Sequence, residues 1–134
     1  MLRSLALVAA LVSFTSLAHA HSYHTPNACS VTAPEICAHV GSNVEPNTAD
    51  EWAFMLHFMP KGVNAKLISN VSVKLWMQMG HHGHGSSPVT IQQQDDVHFE
   101  VTKAYFAMAG PWQIKVAFDY NGKSHELVIP VEAK

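Results

Sequence analysis

Five side chains that can bind a metal ion lie within eight consecutive positions near the middle of the chain. They are two methionines and three histidines: Met77, Met79, His81, His82 and His84. The methionine thioether is a soft ligand that selects Cu(I), whereas imidazole binds Cu(I), Cu(II), Zn(II) and Ni(II). Because zinc rarely takes thioether, the mixture favours copper in one or both oxidation states over zinc. The intervening glycines allow the backbone to fold so that the histidine side chains converge.

The hydrophobic pattern before the histidines predicts how these ligands are positioned. Residues 67–79 alternate, with Val71, Val73, Leu75, Met77 and Met79 on one face and Ser72, Lys74, Trp76 and Gln78 on the other. This period of two predicts a half-buried strand whose core face ends in two methionines. Residues 80–88 then form a loop rich in glycine and histidine, and loops cluster at the ends of a sandwich. The ligands are therefore expected at one end of the domain.

Each ligand candidate also has an ordinary structural explanation. Methionines that end a core face commonly serve as packing. Three histidines in a glycine-rich loop can be flexible, solvated and adventitious in their metal binding. The metal interpretation depends on the two groups occurring together.

Alternating segments along the rest of the chain predict the fold class. Besides residues 67–79, strands are predicted at 51–59, 89–93, 97–102, 105–108, 112–118 and 127–131. Asn121-Gly122, between the last two, is a strong signal for a type I′ hairpin turn. The pattern predicts an all-β fold, an immunoglobulin-like or cupredoxin-like antiparallel β-sandwich of about seven strands, with a small closed barrel as the alternative. Trp112 is expected in its core, and Met55, His57 and Met59 are also interpreted as core packing.

Residues 1–20 have the pattern of a secretory signal peptide. Arg3 precedes an apolar run at 5–12, and Ala18-His19-Ala20 is a small-x-small cleavage pattern. The remaining chain has no arginine and three more acidic than basic side chains. Such a composition argues against nucleic-acid binding and anionic membrane surfaces, and no later run is long enough to insert in a membrane. A periplasmic or secreted location is expected.

Cys29 and Cys37 are the two cysteines, and an exported pair of this kind predicts a disulfide. We expect residues 21–48 to form an irregular arm pinned by this bond, with a helical turn at 33–38, and residues 49–134 to form the copper-binding sandwich. Since neither cysteine lies in the later region of predicted strands, from residue 51 onward, a blue-copper centre, which needs a thiolate ligand beside two histidines, is not expected.

The stretch at 73–116 resembles the YtkA-like (FixH-related) family of small exported domains. The resemblance is carried by residues 76–80 (WMQMG), 84–89 (HGSSPV) and 105–114 (YFAMAGPWQI). It implies an immunoglobulin-like fold and a role in periplasmic copper handling, and it adds Met108 as a ligand. The chain departs from the family pattern because no proline separates its methionines and its histidine segment is expanded, with His84 the best match to the family's single histidine.

The sequence therefore predicts a copper-binding protein, not an enzyme, that sequesters copper or exchanges it with a donor or acceptor protein. Met79 and Met108 would supply sulfur, and His81, His82 or His84 would supply imidazole. One alternative is a structural or adhesive domain with an incidental histidine loop. Another is a copper oxidase in which His21, as the first residue after cleavage, chelates Cu(II) with help from His24 or His39. No hydrolytic or nucleotide-binding motif is present.

Overall fold

The computed structural model describes residues 22–134. The predicted signal peptide and His21 therefore lie outside the described residues. Within the described range, no helix has the length and apolar character needed to cross a membrane.

Two antiparallel sheets make up the structure. The larger sheet contains β1 (Tyr23–His24), β2 (Ala28–Cys29), β3 (Ile36–Ser42), β4 (Trp52–Pro60), β7 (Thr90–Gln93) and β8 (His98–Ala104). Its order is β1-β3-β4-β8-β7, and β2 also pairs with β3. The smaller sheet contains β5 (Ser69–Met79), β6 (His82–Gly85), β9 (Gly110–Tyr120) and β10 (Lys123–Ala133), in the order β10-β9-β5-β6. This confirms the predicted all-β sandwich.

The hydrophobic core lies between the alternating inner faces of the two sheets. In β4 and β9 every second residue is buried, as their sequence periodicity predicts. The largest buried side chains come from both sheets and include Trp52, Leu56, Phe58, Trp112, Ile114 and Phe118. The predicted core position of Trp112 is therefore confirmed.

The turn between β9 and β10 has the backbone conformation that its sequence predicts. Tyr120 pairs with Lys123 across a two-residue loop. Asn121 and Gly122, which form this loop, have φ values of 53° and 71°. Both positions of a type I′ turn need positive φ, which asparagine and glycine tolerate best.

The N-terminal segment is more regular than its sequence predicts. The expected helical turn at 33–38 is wrong, because β3 begins at Ile36 and runs between β1 and β4 in the larger sheet. Six of the seven residues of β3 are buried, so the strand lacks the alternation that would have identified it. Cys29 and Cys37 lie directly opposite each other on β2 and β3, and the predicted disulfide between them is confirmed.

Three further predictions differ from the structure. The segment at 80–88, expected as a loop, contains strand β6, and the segment at 105–108, expected as a strand, lies between β8 and β9. The core-packing interpretation of Met55, His57 and Met59 is also wrong. These residues alternate with the buried side chains of β4, so they are half-buried on the outer face of the larger sheet.

Candidate metal site

Strands β5 and β6 form a tight hairpin that carries most of the predicted metal ligands. Met79 lies opposite His82, and Met77 lies opposite His84. Gly80 and His81 form the two-residue turn, and Gly80 has a φ of 56°, which glycine adopts without steric cost. Because directly paired residues and residues two apart share a face, Met77, Met79, His82 and His84 are on the same face of the hairpin.

The opposite face of this hairpin is covered by Trp76. A Cβ on Gly83 would lie only 1.9 Å from Trp76 Cζ2, so the indole occupies the space where a side chain would stand. Trp76 Nε1 donates a hydrogen bond to Gln78 Oε1 at 3.1 Å, and Gln78 Nε2 donates to the Gly80 carbonyl at 2.9 Å. These contacts connect the strand to its turn and hold the methionine and histidine face in place.

The candidate ligands on the hairpin differ in their accessibility. Met79 is 43 % exposed, and His81, His82 and His84 are also exposed. Met77 is only 4 % exposed and belongs to the hydrophobic core. Its methyl carbon lies near Gly110, where an added Cβ would be 3.4 Å away. Met79 is thus the hairpin sulfur that an ion in solution can reach.

Met108 lies at the same end of the smaller sheet. It precedes β9, whose first residue Gly110 is adjacent to the Met77 methyl group. Trp112 Nε1 donates a hydrogen bond of 2.9 Å to the Met108 carbonyl, and the buried ring of Phe106 anchors the same segment. The Met108 side chain is 36 % exposed. Two accessible thioethers, those of Met79 and Met108, therefore stand at one end of the sandwich with the hairpin histidines.

The donor set of this end suits a soft ion. Met79 and Met108 provide thioether sulfur, and His82 provides an imidazole directly across the hairpin from Met79. Sulfur and imidazole together are typical ligands for Cu(I). Among residues 22–134, no three side chains drawn from His, Cys, Asp and Glu stand in an arrangement that would hold a metal ion.

A second group of histidines, which the sequence does not reveal as a cluster, crosses the outer face of the larger sheet. His39, His57 and His98 lie opposite one another on β3, β4 and β8. His24 on β1 lies opposite Gly41, two residues from His39. We call these four residues the histidine row. The alternation of residues 97–102 separates His98 from the apolar face of β8, but the sequence analysis assigned His57 to the core, and the strand register that aligns the four histidines cannot be deduced from the sequence.

One family model matches the chain. Residues 45–117 match the model of the YtkA-like family, which is more than half of the chain. The matched range includes the β5–β6 hairpin, Met108 and two members of the histidine row, His57 and His98. No curated protein and no solved structure matches the chain.

Proposed function

The chain belongs to the YtkA-like family, and from this premise we propose that it is an exported copper-binding protein that holds copper at the β5–β6 hairpin. The copper is cargo that the protein sequesters or exchanges with a donor or acceptor protein. We propose no catalytic activity. The proposed location is the periplasm or the extracellular space, where a disulfide such as Cys29–Cys37 persists.

The pairing of Met79 with His82 is the observation that carries this proposal. Directly opposite residues on antiparallel strands have Cβ atoms about 5 Å apart, which is close enough for a sulfur and an imidazole to reach one ion. The turn between them has only two residues, so the strand register fixes their relative position. Met108 supplies a second thioether from the adjoining loop.

Exposure of the ligands favours exchange over permanent retention. Both Met79 and Met108 are among the large apolar side chains that remain substantially exposed in the described range. An ion bound at such positions is accessible to the ligands of an incoming partner protein. On the opposite face of the hairpin, the Nζ atoms of Lys74 and Lys115 lie 5.5 and 5.3 Å from the centre of the Trp76 ring.

Cu(I) competition against a chromophoric chelator tests the proposal. The wild type is compared with a Met79→Ala/Met108→Ala variant, and Met59→Ala on the outer face of the larger sheet is the matched control. We expect the double variant to bind Cu(I) at least tenfold more weakly and the control to bind like the wild type. Because both substituted side chains are partly exposed, the melting temperature should change little, which separates lost affinity from unfolding.

Equal Cu(I) affinity in the wild type and the double variant would eliminate the thioether site. The protein would then fit the alternative of a structural or adhesive sandwich domain with an incidental histidine segment. An additional His82→Ala variant separates the imidazole from the sulfurs, because the proposal expects it to weaken Cu(I) binding while leaving the hairpin folded.

A further inference from the structure

The histidine row is a compact set of imidazoles outside the hairpin site. The ring centres of His39 and His57 are 5.0 Å apart, and those of His57 and His98 are 4.2 Å apart. His24 extends the series, with its ring centre 6.0 Å from that of His39. The pairing of neighbouring strands therefore places four imidazoles side by side across β1, β3, β4 and β8.

A small surface cavity of about 170 Å³ opens between these rings. The four histidines line it together with Gly41 and Met55. Gly41 lies opposite both His24 and Met55 and contributes no side chain, which leaves the space open. Among residues 22–134, neither lysine nor arginine lines this cavity.

The environment of the histidine row favours the neutral form of its two central imidazoles, which is the form that binds metals. Burial is the largest cause that lowers the pKa values of His39 and His57, and the neighbouring histidines lower them further. Neutral imidazole is the metal ligand, because a protonated ring has no free lone pair. In addition, His39 Nδ1 is buried without a hydrogen-bond partner among the described residues.

An acidic side chain orients the last ring of the row. The Asp95 carboxylate contacts His98 Nδ1 at 2.8 Å. When a carboxylate holds one ring nitrogen of a histidine, it fixes the tautomer and leaves the other nitrogen as the donor to a metal. Asp95 also accepts hydrogen bonds from the backbone N–H groups of Val97 and His98, so it is itself held in place.

We propose that the histidine row is a second metal site, which binds a divalent late transition-metal ion such as Cu(II) or Zn(II) through imidazole nitrogens. This inference does not depend on copper binding at the hairpin. No three of the side chains among residues 22–134 that could ligate through His, Cys, Asp or Glu already converge on one ion, and the rings of His57 and His98 are stacked at 16°. Binding at the histidine row therefore requires its rings to turn about their side-chain torsions. Their position on a half-buried outer face leaves room for this rotation, which a packed core would prevent.

Zn(II) is the probe that separates the row from the thioether site, since zinc rarely takes thioether. The titration uses a background chain that lacks the hairpin imidazoles, His81→Ala/His82→Ala/His84→Ala. Zn(II) affinity is measured by competition with a chromophoric chelator, in this background and after addition of His57→Asn or His39→Asn. His125→Asn is the matched control, because His125 lies on the smaller sheet and its ring contacts Thr32 and Phe118.

We expect the background chain to bind one equivalent of Zn(II), with His57→Asn and His39→Asn each lowering the affinity at least tenfold and His125→Asn leaving it unchanged. Imidazole resonances of the row should shift in NMR spectra at stoichiometric Zn(II). Equal affinities in all four chains, or no binding by the background chain, would overturn the proposal. A folded far-UV spectrum for each variant excludes unfolding as the cause. Neither result decides the Cu(I) test of the hairpin.

Discussion

The indole of Trp76 occupies the space in which a side chain on Gly83 would stand. An added Cβ would be 1.9 Å from Trp76 Cζ2 and 2.3 Å from Cε2. This contact packs the two strands of the β5–β6 hairpin against each other on the face opposite to Met79 and His82. The glycine therefore has a steric role in the hairpin, in addition to any flexibility it gives the backbone.

A Gly83→Ala substitution is expected to displace Trp76 and lower the free energy of unfolding by roughly 1–3 kcal/mol, in the range for overpacked sites. Gly85→Ala is a close control, since Gly85 is two residues away on the same strand and its Cβ would be 3.9 Å from the same ring. Chemical denaturation measures the free energy of unfolding of the two variants and of the wild type. Equal stabilities would show that Trp76 moves aside without cost. If the hairpin holds copper, Cu(I) affinity should fall in Gly83→Ala and not in Gly85→Ala.

The sequence predicts the parts of the fold in which one face of a strand is buried. β4, β5 and β9 alternate clearly, and Asn121-Gly122 specifies its own turn. In contrast, β3 is buried along both faces and does not alternate. β6 consists of glycine and histidine, residues with no strand pattern, and it becomes a strand because it pairs with β5.

The candidate site is predictable in composition and only partly in geometry. The clustering of Met79 with the histidines is visible because these residues are close in sequence. The pairing of Met79 with His82, and not with His84, depends on the two-residue turn. The histidine row draws its members from four strands, 74 residues apart from first to last by their numbering, and only the register of the sheet brings them together.

Trp112 connects the core to the segment that carries Met108. Its side chain is 1 % exposed, and its Nε1 donates to the Met108 carbonyl. Trp112→Ala is expected to lower the free energy of unfolding by roughly 3–5 kcal/mol, the range for removing a large buried aromatic side chain. Leu67→Ala, at a half-exposed apolar position, should cost far less. An unchanged denaturation midpoint for Trp112→Ala would contradict its central place in the core.

The disulfide between Cys29 and Cys37 joins the short strand β2 to the buried strand β3. A Cys29→Ala/Cys37→Ala variant should lose roughly 2–3 kcal/mol of unfolding free energy, as the chain-entropy model gives for so short a loop. Alanine is used because Cys37 is buried and a serine hydroxyl there would need a hydrogen-bond partner. The melting temperature of the wild type treated with a reductant should approach that of the variant. A variant as stable as the oxidised wild type would show that β2 is held without the bond.

Acid should weaken the fold through the centre of the histidine row. Burial and neighbouring imidazoles lower the pKa values of His39 and His57 from the ordinary 6.5, and Asp95 partly opposes this for His57. The unfolded chain therefore binds more protons than the folded chain as pH falls below about 6.5, so folding stability declines there and is greatest at higher pH. Hydrogen bonds lower the pKa values of the Asp95 and Asp119 carboxyl groups from 3.8. Protonation of these groups therefore reduces the folding stability only at more acidic pH.

Denaturation midpoints measured from pH 7.5 to pH 4.5, with a chelator present to remove metal ions, test this dependence. The wild type should lose stability across the range, and a His39→Gln/His57→Gln variant should lose less because its amides do not titrate. His82→Gln, at an exposed position on β6, should follow the wild type. His24 and His98 flank the substituted pair and remain in every chain, and the double variant also removes the repulsion between them and His39 and His57. Parallel curves for the wild type and the double variant would show that protonation of His39 and His57 does not oppose folding.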